Sequence, residues 1–236
     1  MQMALRALKI MGAAIGLTAF VACGSAETDT DLSKAENRIA TAETIACGGL
    51  TPLSSAAFQT VDPANIKQSV IDDAIRYYSS RARCENGGLG FSGDKRLLKV
   101  AQSHSADMAR LDFFAHESAV SGKESLGDRF GLGGVTYRAG AENLASVSLF
   151  NFPANERFQV IDEGRCLFRD PKTRELYKRQ NYAELAQNVV DSWMNSPGHR
   201  ANLLSPEYSR MGSGIAIDLK NNDYCGQVYA TQNFAD

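Results

Sequence analysis

The sequence predicts an α+β fold in which several helices pack against a small antiparallel sheet. Apolar residues recur at helical spacing in three stretches, residues 66–81, 94–111 and 182–195, and they alternate as in strands over 211–218 and 226–234. Apolar residues make up 44% of the 236-residue chain and charged residues 22%, which is enough to bury a sizeable core. Helices mixed with a few strands in a chain of this length are typical of α+β layers.

The first two helices carry recognisable start signals. Asp62 followed by Pro63 resembles an N-cap with proline at the first helical position, so the first helix is predicted from there to about Arg81. Asp94 is the predicted N-cap of the second helix, which ends near Leu111.

The middle of the chain is less regular until the third long helix. A short helix is predicted around Ser125–Phe130, and residues 142–147 read as a strand. Residues 150–181 mix basic and acidic side chains, which predicts a solvated inserted loop, held by Cys166. The helix over Tyr182–Asn195 should place Trp193 in the core and stop at Pro197-Gly198.

The N-terminal region has the features of an export signal. Arg6 and Lys9 precede an apolar stretch from residue 10 to residue 22, of the length of a secretory signal. The sequence around Cys23 resembles a bacterial lipobox, with Phe20 where leucine is usual, so residues 1–22 are the predicted signal peptide and Cys23 the lipid attachment site. The alternative is an ordinary signal cleaved after Ala22 or Ala26. Residues 23–62 are predicted to form a flexible tether, and residues 63–236 the folded domain.

Export favours oxidised cysteines. Without Cys23 four cysteines remain: Cys47, Cys84, Cys166 and Cys225. In an oxidising compartment they are expected to form two disulfides, and three pairings are possible. The net charge of −2 excludes an obvious nucleic-acid face. No uninterrupted apolar run has the length of an ordinary transmembrane helix.

Four short motifs, in this order, resemble the CAP superfamily, also called the SCP domain, of cysteine-rich secretory and pathogenesis-related proteins. They are Phe113-Phe114-Ala115-His116, the run AGAENLA at residues 139–145, DSWMNSPGHRANLLS at 191–205, and YATQNF at 229–234. The SPGHR element points to the bacterial branch. The resemblance covers roughly residues 66–236 and implies an α-β-α sandwich.

The same resemblance implies a cleft lined by two histidines and two acidic residues. His116, Glu142 and His199 match three of these positions, whereas Asn195 stands at the rim where the family carries its second acid. Two imidazoles and one carboxylate suit a divalent metal such as zinc, although no cofactor is required. The remaining histidine, His104, is expected at the core edge, hydrogen-bonded to the backbone.

Three functions remain open at this level. The first is a non-catalytic domain that binds a small molecule, lipid, envelope glycan or protein in the cleft, attached to the membrane by its lipid. The second is a metal-assisted hydrolase or peptidase that uses His116, Glu142 and His199 as catalytic residues. The third is a structural envelope spacer. Ser196 lacks the G-x-S-x-G context of a serine hydrolase. The expected location is the bacterial cell envelope, or the medium if the lipobox is not used.

Overall fold

Helices cover both faces of a four-stranded sheet in the computed structural model, which describes residues 46–152, 157–219 and 225–236. Two short 3-10 helices, Cys47–Gly49 and Ser55–Phe58, precede the main elements. These elements are, in chain order, α1 (Gln68–Glu85), β1 (Ser92–Gly93), α2 (Lys95–Leu111), α3 (Leu126–Leu132), β2 (Gly140–Ser148), β3 (Gln159–Asp162), β4 (Leu167–Arg169), α4 (Tyr182–Met194), α5 (Pro197–Leu204), β5 (Arg210–Asp218) and β6 (Gln227–Ala235).

The main sheet has the strand order β1-β5-β6-β2. β6 pairs antiparallel with β5 on one side and with β2 on the other, and the short β1 adds a parallel edge to β5. α2 packs on one face of this sheet, whereas α1, α4 and α5 lie on the other. The predicted α+β class and the α-β-α sandwich are therefore confirmed.

Two glycines allow α2 to lie directly on β5. A Cβ atom on Gly212 would lie 2.1 Å from the backbone nitrogen of Leu98, and one on Gly214 would lie 2.5 Å from the Cα atom of Gln102. A side chain at either position would push the helix off the sheet. This close approach brings the far end of α2 near the open edge of β2.

The opposite layer holds the largest part of the core. Trp193 and Tyr182 of α4 are fully buried with Ile71 and Ile75 of α1. The prediction that Trp193 belongs to the core is confirmed.

Helix starts agree with the sequence where a cap is used. The Asp94 side chain accepts the backbone N–H of Arg96 at 2.8 Å, as predicted for an N-cap. The first helix, however, begins at Gln68 and not at Pro63. The Asp62 carboxylate instead accepts the N–H of Ala64, so it closes a local turn before the helix.

The segment before residue 63 belongs to the packed unit as far back as the structure describes it. Ala57 and Val61 are buried, the Val61 N–H donates to the Gln180 carbonyl, and Cys47 is bonded to Cys84 of α1. The predicted tether over residues 23–62 is therefore too long at its C-terminal end. Its apolar residues do not recur at helical spacing, and a few buried side chains and one disulfide hold it to the domain.

Residues 150–181 also have more structure than the predicted loop. β3 and β4 form a hairpin, and aromatic rings of Phe152, Phe158 and Phe168 contact one another beneath it. A disulfide between Cys166 and Cys225 attaches the hairpin to the start of β6. The charged side chains are mostly outside, but the spaced aromatic residues make a small core that charge patterning alone did not reveal.

The two predicted disulfides are confirmed, with the pairing Cys47–Cys84 and Cys166–Cys225 and Cα–Cα distances of 5.5 and 5.6 Å. The signal peptide and Cys23 lie outside the described residues. Within the described ranges, none of the helices has the length and apolarity to cross a membrane.

Candidate functional site

The candidate site lies at β2, the edge strand of the sheet. Adjacent residues of a strand point to opposite faces, so Glu142 faces the layer of α2 and α3 while Asn143 faces α5. The two helical layers therefore meet around one strand edge. This arrangement explains how residues far apart in sequence come together.

Glu142 is held in a buried ion pair with Arg129 of α3. The Arg129 Nη2 donates to both carboxylate oxygens, at 2.9 and 2.8 Å, and the two side chains are 2% and 3% exposed. Asn233 of β6, in the amide orientation that satisfies its neighbours, donates to the same carboxylate at 3.1 Å. Charge-assisted bonds of this kind fix the carboxylate tightly.

His116 contacts this buried carboxylate from the solvent side. Its Nδ1 lies 3.0 Å from the Glu142 Oε1, while 58% of its side chain is exposed. It follows the C-cap of α2, where Asp112 adopts the left-handed conformation at φ 54° and turns the chain. One nitrogen of the ring is thus anchored, and the ring is otherwise open to the cleft.

His199 reaches the same cleft from the other layer. Its ring centroid lies 6.5 Å from that of His116. Burial lowers the pKa of His199, and the neighbouring His116 lowers it further. The predicted turn after α4 is in fact the start of α5, since Pro197 is its first residue and suits that position. His199 therefore lies in a helical first turn and not after a helix end.

A polar network fixes α5 to the strand edge. The Asn143 side chain, fully buried, donates to the His199 carbonyl at 3.1 Å and to Gln232 at 3.2 Å. Asn202 of α5 donates to the Asn143 side chain at 3.0 Å. This network sets the position of His199 relative to Glu142.

His104 supports the site from behind. Its ring is fully buried on α2, and its Nε2 lies 3.0 Å from the carbonyl of Ala115, the residue before His116. The expected backbone hydrogen bond is present, although the ring lies in the interior and not at the core edge. His104 Nε2 is also 3.9 Å from Glu142 Oε1, and burial lowers the pKa of His104. His104 thus fixes the loop that carries His116.

His116, Glu142 and His199 lie close together, as the distances between them show. Asn195, predicted at the rim, is the exposed C-cap residue of α4. Among the described residues, no side-chain hydrogen bond links Asn195 to the other three. Ser196 is the N-cap residue of α5.

The arrangement does not fit a metal that uses Glu142 as a ligand. Both carboxylate oxygens accept the Arg129 guanidinium, and one also faces His116 Nδ1. In the part of the chain that the structure describes, no three His, Cys, Asp or Glu side chains are placed to hold one ion. A zinc site here would need Glu142 to leave a buried ion pair.

Arg129 and Asn143 are the important residues that sequence reasoning missed. Asn143 stands in the Glu-Asn-Leu run, which gives it no separate role. Arg129 follows a Ser125–Asp128 capping box, which predicts a short helix yet says nothing about the partner of its arginine. Only the tertiary contact shows that Arg129 neutralises Glu142.

Comparison with known proteins agrees with the motifs. Residues 90–234 match the sequence model of the family described as "CAP: Cysteine-rich secretory protein family". The uncharacterized membrane protein YlbC of Bacillus subtilis is 28% identical over 167 residues, which is 71% of this chain and 35% of that protein. The uncharacterized protein YkwD of the same organism is 25% identical over 163 residues, 69% of this chain and 49% of its own length. The chain thus spans less than half the length of these relatives.

Solved structures with similar folds include two bacterial surface or secreted proteins. An extracellular protein with an SCP domain from Bacillus anthracis has a TM-score of 0.44 at 22% identity, covering 71% of this chain and 40% of that one. An outer surface protein from Borrelia burgdorferi has a TM-score of 0.46 at 13% identity, covering 75% and 97%. On the match of more than half of its sequence to the family model, this chain belongs to the CAP, or cysteine-rich secretory protein, family, as a CAP domain protein of the bacterial type.

Proposed function

We propose that this chain is an exported CAP domain that binds a ligand in the cleft between His116 and His199 and does not turn it over. The observation that carries the proposal is the bonding of Glu142, in which each carboxylate oxygen has two partners. Arg129 donates to both oxygens, His116 Nδ1 faces Oε1, and Asn233 donates to Oε2. A general base or a metal-ligating carboxylate needs a free lone pair directed at its target. Glu142 instead serves as a fixed, buried acceptor that orients the His116 ring.

The cleft surface suits a ligand with both polar and apolar groups. The exposed His116 ring and the partly buried His199 ring supply hydrogen-bonding nitrogens, and the lowered pKa of His199 favours its neutral form near pH 7. Phe114, two residues before His116, is 51% exposed and lies 6.2 Å from the Tyr229 ring, centroid to centroid. Envelope glycans, lipids and protein segments all combine these features.

Export and anchoring form the second part of the proposal. Two disulfides support an oxidising compartment, because such bonds do not persist in a reducing cytosol. The relative from Bacillus anthracis is described as extracellular and the one from Borrelia burgdorferi as an outer surface protein. Attachment to the envelope by a lipid on Cys23 rests on the lipobox-like sequence.

The test compares the purified mature protein with the His116→Ala/His199→Ala variant. Fragments of envelope glycan and phospholipid micelles serve as probes, and binding is followed by native mass spectrometry. Glu117→Ala is the matched control, because Glu117 is exposed and adjoins His116. We expect the double variant to keep its fold and lose binding, and the control to keep both.

Two other outcomes would contradict the proposal. Peptide or ester turnover that requires added zinc, and that disappears in the folded double variant, would establish the hydrolase function. Loss of stability with no loss of binding would assign the histidines to structure alone. Circular dichroism and thermal unfolding of each variant separate these outcomes.

A further inference from the structure

A second cavity, of about 380 Å³, is lined by residues of α2 and α3, among them Arg129. Its volume falls in the range of small-ligand sites. The residues that matter here are Lys99, Val100, Ser103, Lys123, Arg129 and Leu132. We propose that this cavity binds a phosphoryl group, independently of the ligand in the histidine cleft.

Arg129 has one N–H group without an acceptor in the described part of the chain. Its Nη2 donates to Glu142, and its Nη1 donates to the carbonyls of Lys123 and Glu124 at 3.2 and 3.3 Å. Its Nε has no acceptor among the described residues, although Arg129 is only 3% exposed. A buried N–H without a partner is unusual in a native fold, and an acceptor bound in the cavity that Arg129 lines would complete its bonding.

Further hydrogen-bond donors surround the cavity. Lys123 Nζ donates to Ser103 at 2.9 Å and to Asp107 at 2.8 Å, so two of its three N–H groups are used and the third can donate to a ligand. Lys99 is exposed, and its ammonium makes no hydrogen bond to the described part of the chain. A phosphoryl group carries several strong acceptor oxygens and matches such a set of donors.

The local charge is positive. The charged cavity residues and their ion-pair partners are three cations and two carboxylates: Lys99, Lys123 and Arg129 against Asp107 and Glu142. The surrounding chain carries a net charge of −2, so this positive excess is local. Electrostatic complementarity therefore favours an anion here over a neutral or cationic ligand.

The apolar part of the cavity bears on the source of the phosphoryl group. Val100 and Leu132 line it beside the cations, and Leu132 is 70% exposed. A free phosphate would use the donors alone. A phospholipid headgroup would use the donors and also place hydrocarbon against Leu132.

The experiment measures binding of inorganic phosphate to the mature protein by titration calorimetry and by the ¹⁵N resonance of the Arg129 Nε–H group. Lys99→Ala is the test variant and Lys95→Ala the matched control, because both lysines are exposed on α2 but only Lys99 lines the cavity. We expect Lys99→Ala to weaken binding about tenfold, the effect of losing one charge-assisted hydrogen bond. Lys95→Ala should leave the affinity unchanged, and phosphate should shift the Arg129 resonance.

A second arm uses vesicles of phosphatidylcholine with and without phosphatidic acid. If the source is a lipid, Leu132→Ser should weaken vesicle binding and leave phosphate binding unchanged; if it is free phosphate, Leu132→Ser should affect neither. The proposal is overturned if neither phosphate nor phosphatidic acid binds saturably. It is also overturned if Lys95→Ala and Lys99→Ala weaken binding equally, because that result indicates a diffuse surface charge effect.

Discussion

Replacing Arg129 with methionine should destabilise the protein strongly, because it removes the cation that neutralises a buried carboxylate. The Arg129 and Glu142 side chains are 2% and 3% exposed, and two bonds of 2.8–2.9 Å join them. Removing one partner of such a pair costs about 3–5 kcal/mol, compared with a total stability of roughly 5–15 kcal/mol. For a domain of this size the melting temperature should fall by roughly 6–20 °C.

The assay is urea unfolding followed by tryptophan fluorescence, since Trp193 is the single tryptophan and is fully buried. The decisive control is Arg129→Met/Glu142→Gln, which removes the buried charge along with its partner. This double variant should regain most of the lost free energy, because the neutral amide that replaces the Glu142 carboxylate leaves no buried charge without a partner. A single variant that loses less than about 1 kcal/mol, as for an exposed pair, would refute the reasoning. So would a double variant as unstable as the single one.

Three further predictions follow from other parts of the molecule. Burial raises the pKa of Asp72 to about 6, so its contribution to stability is complete below about pH 4 and is lost as the pH rises through about 6. Between pH 4 and pH 7, the free energy of unfolding measured in urea should therefore fall by about 3 kcal/mol more for the wild-type protein than for Asp72→Asn. The same change of unfolding free energy with pH in the two proteins would contradict this. Gly212→Ala should lower the free energy of unfolding by about 1–3 kcal/mol, and with it the melting temperature, because the new Cβ would lie 2.1 Å from the Leu98 nitrogen. Gly198→Ala, with nothing within 4 Å, should be neutral or slightly stabilising, and equal melting temperatures for the two variants would show that α2 does not rest on β5. Cys23→Ser should move the protein from the membrane to the soluble fraction, and identical fractionation of both forms would rule out the lipid anchor.

Several features of the site were predictable because they depend on local patterns. Helical periodicity and the Asp94 cap predicted α2. The resemblance carried by the motifs predicted that His116, Glu142 and His199 lie in one cleft. The predicted stop before Pro197 is correct, since α4 ends at Met194. The sequence analysis did not predict that Pro197 also begins α5, because proline suits the first position of a helix as well as the residues after one. In the same way, the lack of apolar periodicity before residue 63 concealed Ala57 and Val61, which are buried in the core.

The sequence by itself determined the family, the α+β class, the histidines of the cleft and the four cysteines expected to form disulfides. These depend on residue type and spacing, which the chain displays directly. Only the tertiary structure decided the disulfide pairing, the aromatic core of the inserted hairpin, and the ion pair between Arg129 and Glu142. Each of these joins residues through the packing of separate elements, and no local pattern specifies which partner a side chain will meet. The bonding of Glu142 was decided by such a contact, because its carboxylate lies against the buried guanidinium of Arg129.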